Sequence, residues 1–190
     1  MTAVSEAAQT ATAVEAPAAA PEPAPALESE GEAKPRDILI ICYSGELEKV
    51  WAAMILASTA ATMGKVRVFA TFWGLQSFVK DERRITGQNW MQKMMSFMQQ
   101  PGISHRKLSK MNFLGMGPWM MMRLARQYKA ATPKELLEIG QAMGVEFIPC
   151  QMTLDMFGLT RDDLIEGMAE PVGAATVIAL MQEGSAPLFI

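Results

Sequence analysis

The 190-residue chain is 50% hydrophobic and 19% charged, which gives enough apolar material for one packed domain with an appended segment. Its formal net charge of -3 carries no overall signature of a nucleic-acid-binding protein. Two cysteines and one histidine exclude a disulfide scaffold and a multi-ligand zinc site, so we expect neither a metal nor a cofactor. Free cysteines are typical of a reducing compartment, and we expect a cytoplasmic protein.

Residues 1–35 are dominated by Ala, Pro, Glu, Ser and Thr and contain no aromatic residue. Such a segment buries too little apolar surface to offset the entropy lost on ordering, so we predict a disordered tail. It also lacks the basic start and continuous apolar core of a secretory signal peptide. We therefore place the folded domain at residues 36–190 and do not expect export.

From residue 36 onward, apolar runs alternate with segments of helical spacing. The runs predict strands at residues 36–44, 65–73, 145–150 and 186–190. Helices are predicted at residues 45–63, 75–81, 133–143, 151–157 and 173–184. Thr132 and Glu135 form a capping box with Pro133 at the first helical position, and Thr160 is a second candidate cap. Strands alternating with helices predict an α/β fold with a parallel sheet covered on both faces.

Residues 83–131 form a basic, Met-rich insertion that this alternation does not require. No Asp or Glu occurs from Arg83 to Lys134, whereas basic residues stand at positions 83, 84, 93, 106, 107, 110, 123, 126 and 129. Met91, Met94, Met95 and Met98 fall along one helix face, and a second Met cluster spans residues 111–122. We prefer packing against a neighbouring subunit, with membrane-surface contact as the alternative. Copper binding by thioethers lacks accompanying Cys or His, and we expect His105 to be an exposed loop residue.

Cys150 ends the predicted third strand and precedes the predicted helix at residues 151–157. Binding crevices of open parallel sheets lie at the carboxyl ends of the strands, which is where Cys150 falls. The amino terminus of a helix also stabilises a thiolate and lowers the thiol pKa. Position alone leaves two interpretations open: a nucleophilic thiolate, or a small apolar residue ending a buried strand. Asp155 opposes the first if its carboxylate turns toward the sulfur.

Other candidates follow from the same strand-end argument. Ser44 and Gly45 come after the first strand, where amide groups can bind an anion, and Trp73 and Gly74 come after the second. Cys42 lies inside the apolar run ILIIC and is expected to be an inert core residue, with a resolving thiol for Cys150 as the alternative. The chain has neither a Walker A sequence nor a GxGxxG after a strand, so specific nucleotide binding lacks its usual glycines.

The stretches ILIICYSGELEKVWAAMILASTAATMGKVRVFATFWGL, GVEFIPCQMTLDMFGL and GAATVIALM, with the Met-rich insertion between the first two, resemble the DsrE/DsrF/DsrH-like family, in particular its DsrE-type branch with the longer insertion. The resemblance covers residues 36–190. Its most specific parts are TFWGL at residues 71–75 and Cys-x-Met-Thr-x-Asp-x-x-Gly at residues 150–158.

The resemblance implies a flavodoxin-like α/β domain that forms homo-oligomers and carries sulfane sulfur as a cysteine persulfide or thiosulfonate. Cys150 would accept the sulfur, whereas no role is implied for Cys42. Implied partners are TusA-like sulfur carriers, rhodaneses, and heterodisulfide-reductase-like or dissimilatory sulfite-reductase complexes.

We therefore expect a sulfane-sulfur carrier or sulfurtransferase in intracellular sulfur trafficking and sulfur oxidation. Phe72 and Trp73 are expected to shield the Cys150 adduct from water, and Ser44 or Thr153 to donate a hydrogen bond to it. Two alternatives stay open: a noncatalytic assembly module that uses the insertion, and a thiol–disulfide redox protein that pairs Cys150 with Cys42.

Overall fold

The computed structural model describes residues 37–82, 85, 87–99, 101–110, 115–183 and 185–190. The predicted tail lies outside these residues. The described strands are β1 (Ile38–Cys42), β2 (Val66–Ala70), β3 (Glu146–Pro149) and β4 (Ala186–Phe189). The described helices are α1 (Leu47–Ala60), α2 (Phe72–Leu75), α3 (Trp90–Met98), α4 (Met116–Gln127), α5 (Pro133–Ala142), α6 (Gln151–Phe157) and α7 (Ala174–Gln182).

The strands form one parallel sheet in the order β3-β2-β1-β4. Cys42 pairs with Ala70, and Ala70 pairs with Pro149, so β1, β2 and β3 end in register. The residues that follow, including Thr71 and Cys150, therefore emerge at one edge of the sheet. The predicted parallel α/β fold is confirmed.

Two core clusters lie on opposite faces of the sheet because alternate residues of a strand point to opposite sides. One contains Ile40, Cys42 and Phe147 together with residues of α1, α5 and α6. The other contains Leu39, Ile41, Phe69, Ile148 and Cys150, packed with Val177 of α7. The sheet is thus covered by helices on both faces, as the alternating pattern predicts.

The outer side of β3 is covered by the segment Met168–Val172. The Ala169 N–H donates to the Phe147 carbonyl at 2.8 Å, and the Val172 N–H donates to the Pro149 carbonyl at 3.0 Å. Bridges pair Met168 with Phe147 and Val172 with Cys150 in parallel orientation. This segment fixes the backbone on one side of the candidate thiol.

Local sequence signals account for the starts of two helical segments. Thr132 and Glu135 form the predicted capping box at the start of α5, and Thr160 caps a 3-10 turn at Arg161–Asp163. The prediction at residues 75–81 is displaced: α2 begins at Phe72, and a 3-10 turn at Gln76–Phe78 follows it. The helical turn ends there because Val79 forms an antiparallel bridge with Leu164, which requires extended backbone.

The insertion contains α3, which carries the four methionines predicted to be helical, and α4, which carries the described methionines of the second cluster. Met91, Met94 and Met98 are exposed, whereas Met95 packs against the first core cluster. Within the described ranges, none of the helices is both long enough and apolar enough to cross a membrane.

Candidate functional site

Cys150 lies at the junction between β3 and α6. It is the N-cap residue of α6, with extended backbone at φ -78° and ψ 117°. Pro149 restricts the backbone immediately before it, and α6 ends at Gly158, whose φ of 64° is left-handed. Only 4% of Cys150 is exposed, so the thiol is enclosed by protein rather than placed in open solvent.

The thiol receives hydrogen bonds that favour its charged form. Burial raises the pKa of Cys150, but hydrogen bonds from the Thr153 and Thr71 hydroxyls and from the Thr153 and Met152 amides outweigh that effect. The pKa is therefore lowered from its ordinary value of 9.0. Donors directed at the sulfur stabilise a thiolate, which is the nucleophilic form of cysteine.

Thr71 and Thr153 form a hydroxyl pair beside the Cys150 thiol. Their Oγ1 atoms are 3.2 Å apart, and Thr153 is completely buried. The Phe72 N–H donates to the Thr153 Oγ1 at 3.1 Å. Because this bond occupies an acceptor position on the Thr153 oxygen, the hydroxyl proton is directed elsewhere, toward Thr71 or the sulfur.

Aromatic side chains border this region. Phe72 has a left-handed φ of 45°, which is strained for an aromatic residue, and its side chain is exposed. The Trp73 ring stacks on Phe157 of α6 with 5.1 Å between ring centroids. Phe72 directly follows Thr71 and its N–H binds Thr153, and Trp73 is the next residue in the chain. The expectation that they shield an adduct from water stays a prediction.

Gly74 has a packing role in this structure. Its N–H donates to the Tyr43 carbonyl at 2.9 Å. A Cβ at this position would lie 2.2 Å from the Cys42 carbonyl oxygen, so only glycine permits the close approach of the two backbones. Gly74 thus fixes the loop after β2 against the end of β1.

Ser44 and Gly45 line a cavity of about 380 Å³ together with Trp73, Arg106 and Lys107. Cys150 is not one of the residues that line it. The Ser44 Oγ lies 3.4 Å from a Glu46 carboxylate oxygen and accepts a hydrogen bond from the Glu46 N–H at 3.3 Å. The Leu47 N–H donates to the Lys107 carbonyl at 2.8 Å. These amides at the start of α1 are used within the protein, and the hydrogen bonds described for the Cys150 thiol come from Thr71, Met152 and Thr153 instead.

Asp155 is held by its own helix. Its carboxylate accepts a hydrogen bond from the Gln151 side chain at 2.8 Å. Burial and hydrogen bonds, not this carboxylate, are the causes of the pKa shift at Cys150.

Cys42 is buried in the core cluster opposite that of Cys150, and burial raises its pKa to about 12. Its thiol is therefore neutral near pH 7. The described residues include no group of three or more His, Cys, Asp or Glu side chains that could hold a metal ion. His105, in a 3-10 turn at Ile103–His105, is exposed.

Thr71 is the site residue that the sequence interpretation missed. It directly follows β2, as Cys150 directly follows β3, and the two strands are neighbours in register. The signal was the threonine that begins the TFWGL stretch. It becomes meaningful only when β2 and β3 are known to pair.

Comparisons with known proteins identify a family and several relatives. The chain matches the model of the DsrE/DsrF/DrsH-like family over residues 34–189. It is 36% identical over 152 residues to the uncharacterized protein YrkE of Bacillus subtilis, covering 80% of this chain and 94% of that protein. It is 33% identical over 159 residues to the sulfur carrier protein DsrE2 of Allochromatium vinosum, covering 82% of this chain and 98% of that protein.

Two solved structures are also similar. One is MTH1491 of Methanobacterium thermoautotrophicum, a protein of unknown function, with a TM-score of 0.44 and 15% identity over 82% of this chain and 99% of that chain. The other is ychN of E. coli, with a TM-score of 0.47 and 13% identity over the same shares of the two chains.

Proposed function

Because the chain belongs to the DsrE/DsrF/DrsH-like family, we propose that it carries sulfane sulfur on Cys150 in intracellular sulfur trafficking. The observation that carries this proposal is the place of the thiol: Cys150 follows the end of β3, is the N-cap residue of α6, and lies beside the Thr71–Thr153 hydroxyl pair at the sheet edge. Hydroxyl and amide donors lower the pKa of Cys150 although the residue is buried. A core cysteine with no chemical role needs no such donors, and Cys42, where burial alone acts, has a raised pKa.

The loading step is a thiol exchange without net oxidation. The Cys150 thiolate attacks the outer sulfur of a donor persulfide, R–S–SH. A bond forms between the Cys150 sulfur and that outer sulfur, and the donor S–S bond breaks. The bonding electron pair leaves with R–S⁻, and the product is Cys150–S–SH.

Release repeats the exchange with an acceptor. An acceptor thiolate attacks the outer sulfur, and the Cys150 thiolate leaves with the electron pair of the broken bond. The donors that stabilise the Cys150 thiolate also make it a better leaving group, because a thiol of lower pKa leaves faster. One set of hydrogen bonds therefore serves both loading and release.

The enclosure of Cys150 restricts the donor. Because only 4% of the residue is exposed, small reagents and terminal sulfur atoms reach it more readily than bulky groups do. Persulfides and polysulfides carry such a terminal sulfur. The exposed Met152 and Met156 on α6 give the partner an apolar surface close to the thiol.

The test is intact-protein mass spectrometry after incubation with polysulfide or tetrathionate. We expect wild type to gain a sulfur-containing adduct that a reductant removes, and Cys150→Ser to gain none. Cys42→Ser is the matched control and keeps the adduct, because its thiol is buried and neutral.

Two outcomes would contradict the proposal. An unmodified wild-type protein would show that the thiol is not a sulfur acceptor for these donors. An adduct retained in Cys150→Ser and lost in Cys42→Ser would show that Cys42, on the other face of the sheet, accepts the sulfur.

A noncatalytic assembly module is the second candidate function. Its support is the apolar surface of the insertion, where Trp90 and Phe97 of α3 and Trp119 of α4 are 70%, 75% and 60% exposed. Normal function of Cys150→Ser in the cell would favour this candidate. If the protein is a sulfur carrier, the basic residues of the insertion favour an acidic partner protein, since opposite charges speed encounter.

A further inference from the structure

Gln92 of α3 joins the insertion to the helix that follows Cys150. Its side-chain NH₂ donates to the Asp155 carbonyl at 3.0 Å and contacts the Met156 carbonyl at 3.4 Å, both in α6. Its side-chain oxygen accepts from the Gln88 N–H at 2.9 Å and the Asn89 N–H at 3.2 Å. One amide thus caps the start of α3 and binds the end of α6.

The two segments also pack closely at this point. Gly158 follows α6, and a Cβ built there would lie 2.8 Å from the Gly87 Cα and 2.9 Å from the Gln92 side chain. The glycine in the Cys-x-Met-Thr-x-Asp-x-x-Gly pattern is therefore required by contact with the insertion as well as by its φ of 64°.

A helix as short as α6 depends on such contacts. It spans seven residues, and a helix of this length is marginal without tertiary support. Its start is fixed by β3 and by the Gln151 N–H, which donates to the Val172 carbonyl at 3.0 Å. At its end, the Asp155 carbonyl accepts a hydrogen bond from the Gly158 N–H at 3.3 Å, and Gln92 adds a donor to this carbonyl and to that of Met156.

We propose that Gln92 is a positioning residue for Cys150: by holding the last carbonyls of α6, it keeps the Met152 and Thr153 amides directed at the thiol. The inference rests on the proposed function in that Cys150 is the reacting group. It gives the insertion a role in the chemistry, because the exposed outer face of α3 is linked to the thiol-bearing helix through one side chain.

Two substitutions separate the possible effects of Gln92. Gln92→Glu keeps the oxygen that caps α3 but loses the donor to α6 and adds a charge. Gln92→Leu loses the cap and the donor but adds no charge. The only change shared by the two variants is the lost donor to α6.

The measurement is the pH midpoint of iodoacetamide alkylation at Cys150 in the full-length protein, followed by mass spectrometry of the Cys150 peptide. We expect both variants to raise the midpoint by about half to one pH unit, which lowers the thiolate fraction below the midpoint about 3- to 10-fold. Hydrogen exchange of the α6 amides should accelerate in both variants. Gln127→Glu, at an exposed glutamine of α4, is the control and keeps the wild-type midpoint.

Only a raised midpoint in both variants, with the control unchanged, supports the inference. A rise in Gln92→Glu alone would be an effect of the added charge, and a rise in Gln92→Leu alone would be an effect of the lost α3 cap. Either result, or no rise at all, would overturn the inference. Far-UV circular dichroism checks that both variants keep the helix content of wild type.

This test is independent of the proposed function. Alkylation reports the ionisation of Cys150 whether or not the thiol accepts sulfur. If Gln92 has no effect while polysulfide still loads Cys150, only the positioning role is lost. If the midpoint shifts but wild type takes no sulfur, the proposed function fails and the structural link remains.

Discussion

Thr153 contributes to the candidate site through both its hydroxyl and its backbone amide. The hydroxyl oxygen accepts the Phe72 N–H, and the hydroxyl proton is directed toward Thr71 or the Cys150 sulfur. Thr71 supplies the second hydroxyl from the neighbouring strand end. The sulfur is thus surrounded by donors from two different parts of the chain, and their positions are fixed by the pairing of β2 with β3.

The first residue-scale prediction concerns Thr153→Val, which replaces the hydroxyl with a methyl group. The pKa of Cys150 is lowered in the native protein, so thiolate forms as pH rises through a value below 9.0. Removing one donor raises that pKa, and we expect alkylation of Cys150 at pH 7 to slow about 3- to 10-fold while its pH midpoint moves upward. The midpoint is measured with iodoacetamide across pH 5 to 10.

Thr153→Ser is the matched control because it keeps the hydroxyl. Its midpoint should stay close to that of wild type. Thr153→Val also leaves the Phe72 N–H without its partner, so we expect a loss of about 1–3 kcal/mol in unfolding free energy. Coincident midpoints for wild type and Thr153→Val would show that the hydroxyl does not stabilise the thiolate.

Sequence reasoning identified part of this site. Cys150 and Thr153 belong to one local stretch, and a thiol followed by a helix is visible in the sequence. Thr71 was missed because its relation to Cys150 depends on which strands are neighbours. Ser44 and Gly45 also follow a strand, but the strand is β1, and the Ser44 hydroxyl is used at the start of α1. Whether they bind substrate stays a prediction.

At the scale of the elements, local sequence signals predicted a helix start correctly where the residues of one short segment determine it. The capping box before α5 uses Thr132 and Glu135, three residues apart, and the structure contains both of its hydrogen bonds. The prediction for residues 75–81 was displaced because Val79 pairs with Leu164, far away in the sequence. A tertiary contact there overrides the local helical pattern.

Gly158 provides an element-scale prediction about the contact between α6 and the insertion. Gly158→Ala places a methyl group against Gly87 and Gln92 in addition to forcing a left-handed φ on alanine. We expect a loss of about 2–4 kcal/mol in unfolding free energy, measured by chemical denaturation, from backbone strain plus overpacking.

Gly144→Ala is the matched control. Its φ of 83° is also left-handed, but a Cβ there meets nothing within 4 Å. The expected loss is about 1 kcal/mol, from backbone strain alone. Equal losses in the two variants would mean that the contact between the insertion and α6 adds nothing to stability.

At the scale of the whole molecule, the alternation of strands and helices was predictable, whereas the strand order was not. Periodicity and turn residues are local signals, but the strand order, β3-β2-β1-β4, depends on packing between segments that are distant in the sequence. The order determines the relation between the two cysteines. The sequence interpretation placed Cys42 inside the first strand and Cys150 at the end of the third. In the structure Cys42 ends β1, Cys150 follows β3, and β2 lies between the two strands.

The arrangement of the sheet predicts that the native protein forms no disulfide between Cys42 and Cys150. Adjacent strands lie about 4.8 Å apart, so β1 and β3 are separated by about 9–10 Å, beyond the roughly 7 Å that a disulfide spans between Cα atoms. The two side chains also belong to core clusters on opposite faces. In addition, burial raises the pKa of Cys42 to about 12, which keeps that thiol neutral and unreactive.

Peptide mapping under non-reducing conditions after mild oxidation with diamide tests this. We expect adducts on Cys150 alone in the native protein, and a Cys42–Cys150 link only when the chain is oxidised in guanidinium chloride, where the sheet no longer separates the cysteines. A link formed in the native protein would require β1 and β3 to separate from β2. It would also favour the thiol–disulfide alternative over sulfur transfer, because Cys42 would then be a resolving thiol for Cys150.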